Sequence, residues 1–462
     1  MGARSLQAQQ TAVEVAGQNL ANVNNPAYAR QRVQIQTSTT VQTTLGQQGT
    51  GVQVTAIQQV RNALLDNQVT GEMSVGGYWN SQQSGLQSAQ VGLGEYIDST
   101  SGTATSTDGA TSGIADDLSG LFSAFQGVAT SPESLTQRQL LMSNAQTLAS
   151  RLNQTSANLA DVKTTLNQSL DGNVKDANQL LSDIAGLNKS IADAEAPGGS
   201  QANDLRDLRQ SKLESLSNLI NFTSSTGDNG AVNITVDGNQ LVSDSSVTDT
   251  LQSYDAGGGQ MLIRTATGGT PLNLTGGQMK GTIDARDGAL ATLQSGLDTL
   301  ASQLITQVNA VHGAGYGMNG TTGAKFFNGS DASDISVNSA LVSDPSLVQA
   351  AGAPGASGDN SVALALAQLA DAPQAGLGNQ TFSESYDQTV AGLGYALNNA
   401  NTQVTDSGKV QDMLSQQRDS VSGVSIDEEM TNLIGFQKAY AASAKLITTI
   451  DTMLDTVLNM KV

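Results

Sequence analysis

Few stretches of this chain carry residue types at spacings that chemistry could use. Gly315-Tyr316-Gly317-Met318-Asn319-Gly320 matches G-x-G-x-x-G, the pattern in which a glycine turn between a strand and a helix presents backbone N–H groups to a pyrophosphate. Here a helical run ending near His312 precedes the glycines and Phe326-Phe327 follows, so the stretch reads as a loop. Gly320-Thr321-Thr322-Gly323-Ala324-Lys325 lacks phosphate-loop spacing and has no Ser or Thr after the lysine, so it reads as a turn. A general base at His312 would need an orienting carboxylate and a nucleophile. At the end of a helix, one turn beyond Val308 and Asn309, it reads instead as a histidine interacting with the helix dipole. Asp427-Glu428-Glu429 has the side chains of a metal or acid–base cluster, but adjacent helical residues point in different directions. Ser425 and Glu428 spell an S-x-x-E capping box, so these acids read as a capped, solvated first turn.

Composition narrows the chemistry further. The chain has no cysteine, which removes disulfides, thiolate nucleophiles and Cys-ligated metal, and its one histidine rules out a His-rich metal site. No catalytic, cofactor-binding or metal residues are expected, and the protein reads as no enzyme. Lys and Arg number 21 against 41 Asp and Glu, a net charge of −20 that phosphate backbones and anionic lipids repel, so neither nucleic acid nor membrane is an expected partner. One Trp, eight Tyr and seven Phe leave few large anchors for a ligand pocket. The first thirty residues show no signal-peptide pattern, and no run of about 18 apolar residues occurs, which leaves the cytosol or an export route that reads no cleavable signal.

The elements that must do the positioning are mostly helices. At 462 residues the chain has room for about three domains. Leu6, Val13, Ala16, Leu20 and Val23 form a narrow helix–helix seam that Asn24-Asn25-Pro26 stops. Leu433, Phe436, Tyr440, Ser443, Ile447, Ile450, Leu454 and Val457 follow a 3-4 alternation over more than three heptads, the strongest periodic signal present. Between them, Leu148 to Leu166 and Leu180 to Ile191 read as a long helix or a broken helical hairpin, interrupted at Ala196-Pro197-Gly198-Gly199-Ser200, with further helices over 205–216 and 290–311. Val232, Ile234 and Val236 alternate with polar residues before an Asp237-Gly238 turn signal. Residues 101–113 and 352–360 read as loops. The expected fold is mainly α with a β-rich insertion (α+β). Residues 1–30 and 425–462 would form a terminal coiled-coil polymerisation region, 31–220 and 281–424 a mostly helical body, and 221–280 a small β domain. A lone amphipathic end frays, so both ends are expected to order fully only when packed on partners.

At the first seam the chain reads Asn19-Leu20-Ala21-Asn22-Val23-Asn24-Asn25-Pro26-Ala27-Tyr28-Ala29-Arg30-Gln31. This resembles the N-terminal signature of the bacterial flagellar rod, hook and hook-associated axial proteins, with Asn19, Asn22, Pro26, Tyr28 and Arg30 in place, and with Asn25 and Ala27 where Thr and Gly are usual. Ser422 to Met430, containing Asp427, Glu428 and Glu429, resembles the matching tail of the family's hook-associated protein 1 branch. Asn203-Asp204-Leu205 with Arg209, Asp284-Ala285-Arg286-Asp287, Val308-Asn309 with His312 and Phe326-Phe327, and Gly358-Asp359-Asn360 agree with it. The resemblance implies a structural protein at the junction between hook and filament, assembled through its terminal helices as a ring or tube of copies. It also implies hook protein and a second hook-associated protein as neighbours, a FlgN-type export chaperone covering the C-terminal helix, and extracellular placement by flagellar type III export. Another axial subunit, hook or rod, is the alternative within the class. An extracellular adhesin or hydrolase would need an acid pair or pocket that the spacing does not supply. The first helix begins closer to Met1 than the resemblance implies, so a start upstream of Met1 is expected.

Overall fold

The computed structural model of the chain describes residues 1–462 apart from 26, 45, 95, 99–102, 106–112, 197–200, 228 and 461–462. Pro26, most of the Ala196–Ser200 break and part of the 101–113 loop therefore lie outside the described residues. From the N-terminus, α1 (Gly2–Ala21) leads into β1 (Gln31–Thr37), β2 (Thr40–Thr43), β3 (Gly46–Gly49) and β4 (Val52–Gln59). β1 pairs antiparallel with β4, with a bulge at Gln34/Ile35, and β2 with β3. This ribbon falls within a stretch expected to be mostly helical. Its Gln- and Thr-rich strands are largely exposed, so they lack the apolar alternation that marks a strand in sequence.

Next come α2 (Ala63–Leu93), the short strands β5 (Tyr96–Asp98) and β6 (Thr103–Thr105), α3 (Ile114–Thr130), α4 (Leu135–Glu195) and α5 (Asn203–Leu219). α4 settles the choice between one helix and a hairpin: it is a single helix of 61 residues, about 90 Å long. Such a length is stable because α4 carries two cores in succession. Its first half, through Leu141, Leu148, Leu152 and Leu159, packs with α3 and with Phe326, Phe327, Phe382 and Tyr386. Its second half, through Leu170, Val174, Leu181 and Ile184, packs under the β-rich region.

That region holds β7 (Thr223–Thr226), β8 (Val232–Val236), β9 (Asn239–Ser243), β10 (Ser246–Val247), β11 (Leu251–Asp255) and β12 (Met261–Thr265). The first four form one sheet in the order β10-β9-β8-β7, and β11 pairs with β12. The Asp237-Gly238 signal is the β8–β9 turn, with φ of 46° and 77° as a type I′ turn requires. Beyond it lie α6 (Gly277–Asp284), a π-helical turn (Ala285–Leu290), α7 (Ala291–Gly313), β13 (Phe327–Asn328), β14 (Ser336–Val337), α8 (Ser339–Ser343) and α9 (Ser361–Gln368). The chain closes with α10 (Phe382–Ser422) and α11 (Ile426–Asn459). The architecture is mainly α with a β-rich insertion.

α1 and α11 run antiparallel. Asn19 meets Glu429, the Ser5 and Ser443 hydroxyls lie 3.0 Å apart, and a Cβ at Gly2 would come within 2.7 Å of Ile447. Both chain ends are thus one helix pair, joined to the body through residues 27–30 and 423–425.

Candidate assembly interface

The two connections lie side by side. The Arg30 backbone N–H donates to Ser422 O at 2.8 Å, and the Arg30 carbonyl accepts from Val60 N–H at 2.8 Å. On this frame the Arg30 guanidinium reaches into the first turn of α11, bonding Glu429 Oε1 through Nε and Glu428 Oε2 through Nη1, both at 2.7 Å. Asn19, on the last turns of α1, ties the same point from the other side. Its Oδ1 accepts from the Gln31 N–H (2.9 Å) and the Tyr28 hydroxyl (2.8 Å), and its Nδ2 donates to Gln31 O (2.9 Å) and Glu429 Oε2 (3.2 Å). Glu429 is buried and each of its oxygens has a partner, which a buried carboxylate requires. This corrects the solvated reading of the acidic first turn: Asp427 and Glu428 are exposed, Glu429 is not. The capping box is also only half made. Ser425 Oγ accepts from Glu428 N–H, but the Glu428 carboxylate turns to Arg30, since a charge-assisted bond outweighs a neutral one.

A second layer fixes the strap to the body. Gln31 Nε2 donates to Asp204 Oδ1 (3.0 Å), Ala29 N–H to Asp207 Oδ2 (3.3 Å), and Asn203 Nδ2 to Gln31 Oε1 (3.3 Å) and Ile57 O (3.0 Å). Arg61 spans Asp207 (2.7 Å), Asp66 (3.1 Å) and Ala27 O (3.2 Å). Burial raises the Asp207 carboxyl above its ordinary range despite Arg61. Burial, with the carboxylates of Asp204, Asp207 and Glu429 adding to it, holds the Tyr28 phenol protonated well above its usual value. The result is a clasp that ties the helix pair to the body.

The sequence-derived seam divides in two. Ala16 is buried, and Leu6, Val13, Leu20, Val23, Leu433, Phe436 and Ile447 are half-buried; Tyr440, Ile450, Leu454 and Val457 are exposed. α1 turns mainly Ala8, Ala12, Val15, Ala16 and Asn19 inward, a face of small residues one step round from the expected stripe. Residues 448–459 run past the start of α1, with Met453, Leu454, Val457 and Leu458 56–69% exposed. Of the motif residues, Asn19, Tyr28, Arg30, Glu428 and Glu429 meet in the clasp. Asp427 faces solvent, and Asn22 closes α1 through its Nδ2 bond to Gln18 O at 3.0 Å. Arg61 and Asp207 gave no signal, because partners 146 residues apart share no spacing, and Asp66, five residues from Arg61 across the start of α2, falls at no regular helical or strand spacing from it.

His312 differs from its dipole reading. It is fully buried, its Nε2 accepts from Gln349 N–H (3.0 Å), and its Nδ1 must therefore carry the proton it shares with Ala324 O (2.9 Å). Burial pushes it down to about 4, so it is a neutral structural group. Among the described residues no group of His, Asp and Glu could hold a metal, and no helix is long and apolar enough to cross a membrane.

The chain is an elongated helical body with both chain ends clasped on it as one exposed helix pair. Residues 103–327 match the family described as the flagellar hook-associated protein FlgK helical domain, and 415–460 match the flagellar basal body rod FlgEFG protein C-terminal region. The chain is 28% identical to flagellar hook-associated protein 1 of Bacillus subtilis, over 99% of this chain and 96% of that protein. It is 23% identical to that of Escherichia coli, over 99% and 98%. In fold it is similar to the flagellar hook junction protein FlgK of Burkholderia pseudomallei, with a TM-score of 0.62, 17% identity, and coverage of 77% of this chain and all of that one. The chain is thus similar over nearly its whole length to flagellar hook-associated protein 1.

Proposed function

We propose that the protein is a structural subunit of the bacterial flagellum that joins hook to filament, self-assembling through its terminal helices, with no catalytic role. The observation that carries this reading is the α1–α11 pair, which leaves the apolar residues of α11 from Met430 to Leu458 largely uncovered in a chain alike over nearly its whole length to hook-associated protein 1. Exposed apolar stripes of this extent mark interaction surfaces. The rod-type C-terminal match alone would equally suit a rod or hook subunit; the match of the helical middle favours the junction. In this reading the neighbours are further copies, hook protein and a second hook-associated protein. A FlgN-type chaperone covers α11 before type III export, and the protein works outside the cell. Electron microscopy of a strain lacking the gene tests it: hooks without filaments and flagellin shed into the medium are expected, and normal filaments would overturn it.

A further inference from the structure

α11 carries a groove beside one end and an unpartnered apolar stripe at the other. We propose that the distal third of α11 from one copy docks in this groove on the next, head to tail, so that each copy is both guest and host. The inference rests on the self-assembly reading and states where the exposed stripe goes.

The groove, of 780 Å³, lies between α1, β1 and the first turns of α11, and Ala16, Val33, Ile35, Phe436, Arg32 and Asp427 are among its lining. An apolar cavity of ~150 Å³ holds a benzene-sized group, so there is room for several aliphatic side chains. The stripe of Ile450, Met453, Leu454 and Val457 offers that set, every member about half exposed or more. It cannot fill the groove of its own chain. Asp427 and Val457 belong to one continuous helix, which holds them about 45 Å apart. Two complementary patches at opposite ends of a rigid rod are satisfied only by another molecule, in a heterologous contact that repeats from copy to copy.

Charge sets the direction of docking. Arg32 is exposed and joins no ion pair among the described residues, and the positive end of α11 adds to its potential. The guest segment carries Asp451 and Asp455 one turn apart beside the stripe. Arg30 is shared between Glu428 and Glu429, so the α11 side of the groove stays acidic through Asp427 and Glu428, and the guest's acids are driven away from it to the Arg32 side.

The cysteine-free chain makes the test direct. Full-length protein carrying Ile35→Cys and Leu454→Cys is assembled in cells, and isolated flagella are oxidised and run without reductant. A ladder of dimers and higher multiples is expected from the double variant, and monomer from each single one. Cross-linked dimers from Leu454→Cys alone would mean that stripe pairs with stripe, and no cross-link in normally assembled flagella would mean that the groove is empty; either overturns the docking while leaving self-assembly intact. Absence of the protein from flagella bearing a normal wild-type junction would instead sink the self-assembly reading. Should the cysteine pair itself block assembly, charge exchange decides: Arg32→Glu is expected to cut incorporation about tenfold and Asp455→Arg to restore it, whereas failure of the pair to restore it refutes the contact.

Discussion

Arg30 bonds Glu428 and Glu429 across some four hundred positions of sequence, and what its loss would do follows from Glu429. With Arg30→Ala, a carboxylate that is only 4% exposed keeps Asn19 but loses its charge partner. Breaking a buried pair from one side costs about 3 kcal/mol or more. We expect amide exchange to show α1 and the first turns of α11 opening while the cores around α4 stay protected; unchanged protection of α1 would remove the clasp from the account. His312 gives a second test, in pH. Its folded value is about 4 against an ordinary 6.5, so below 6.5 the unfolded chain binds a proton that the folded chain does not. The stability due to neutral His312 is fully present above 6.5 and is lost as pH falls toward 4, by about 2 kcal/mol at pH 5. Urea midpoints at pH 7.5 and pH 5 should therefore converge for His312→Gln relative to the parent, the carboxylates titrating alike in both proteins. Equal pH dependence in the two would show that His312 is not the sensor.

Between elements, close approach is decided at α2, which packs against α4, α5, α6 and α10. A Cβ at Gly77 would sit 2.2 Å from Asn218 O on α5, and one at Gly85 2.7 Å from the Ala285 Cβ in the π-helical turn. Gly77→Ala must push backbone apart and is expected to cost about 1–3 kcal/mol. Gly172→Ala on α4 meets nothing within 4 Å and should stabilise by about 0.5–1 kcal/mol through backbone entropy. Opposite shifts in thermal midpoint check both at once, and a stabilised Gly77→Ala would refute the packing. The same elements show what the sequence could carry. α5, α7, the β8–β9 hairpin and α11 were legible because an amphipathic face or a turn residue is written in consecutive residues. The β1–β4 ribbon and α2 were not, since one exposes most of its side chains and the other is wrapped on several sides and has no single apolar face. The motif residues were legible as resemblance but not as geometry. Asn309 bonds the backbone of both Phe326 and Phe327, Arg286 bonds Asn167 and Met261 O, and Asn360 bonds Ala129 O. Each ties backbone or side chain across distances that spacing does not reveal.

For the whole molecule, the question is how copies carrying a charge of −20 each come together. Their mutual repulsion is long-ranged only at low salt, falling off over about 8 Å at physiological ionic strength, whereas apolar burial acts at contact. In the proposed assembly, the sites that must win are therefore the uncovered ones on α11. Ile447 and Leu454 separate two roles that the sequence pattern joins. Ile447 lies against Gly2 of its own chain, so Ile447→Asp should loosen the monomer's helix pair as well as assembly. Leu454 is 56% exposed and lies beyond α1, so Leu454→Asp should change monomer stability by less than about 0.5 kcal/mol. In an assembly it forfeits ~1.5–3 kcal/mol of burial per subunit and adds a charge to an apolar contact that every copy repeats. The expected outcome is a soluble, folded, exportable protein that forms no junction and supports no swimming. If Leu454→Asp cells swim normally and build filaments, the uncovered end of α11 is not where this protein assembles.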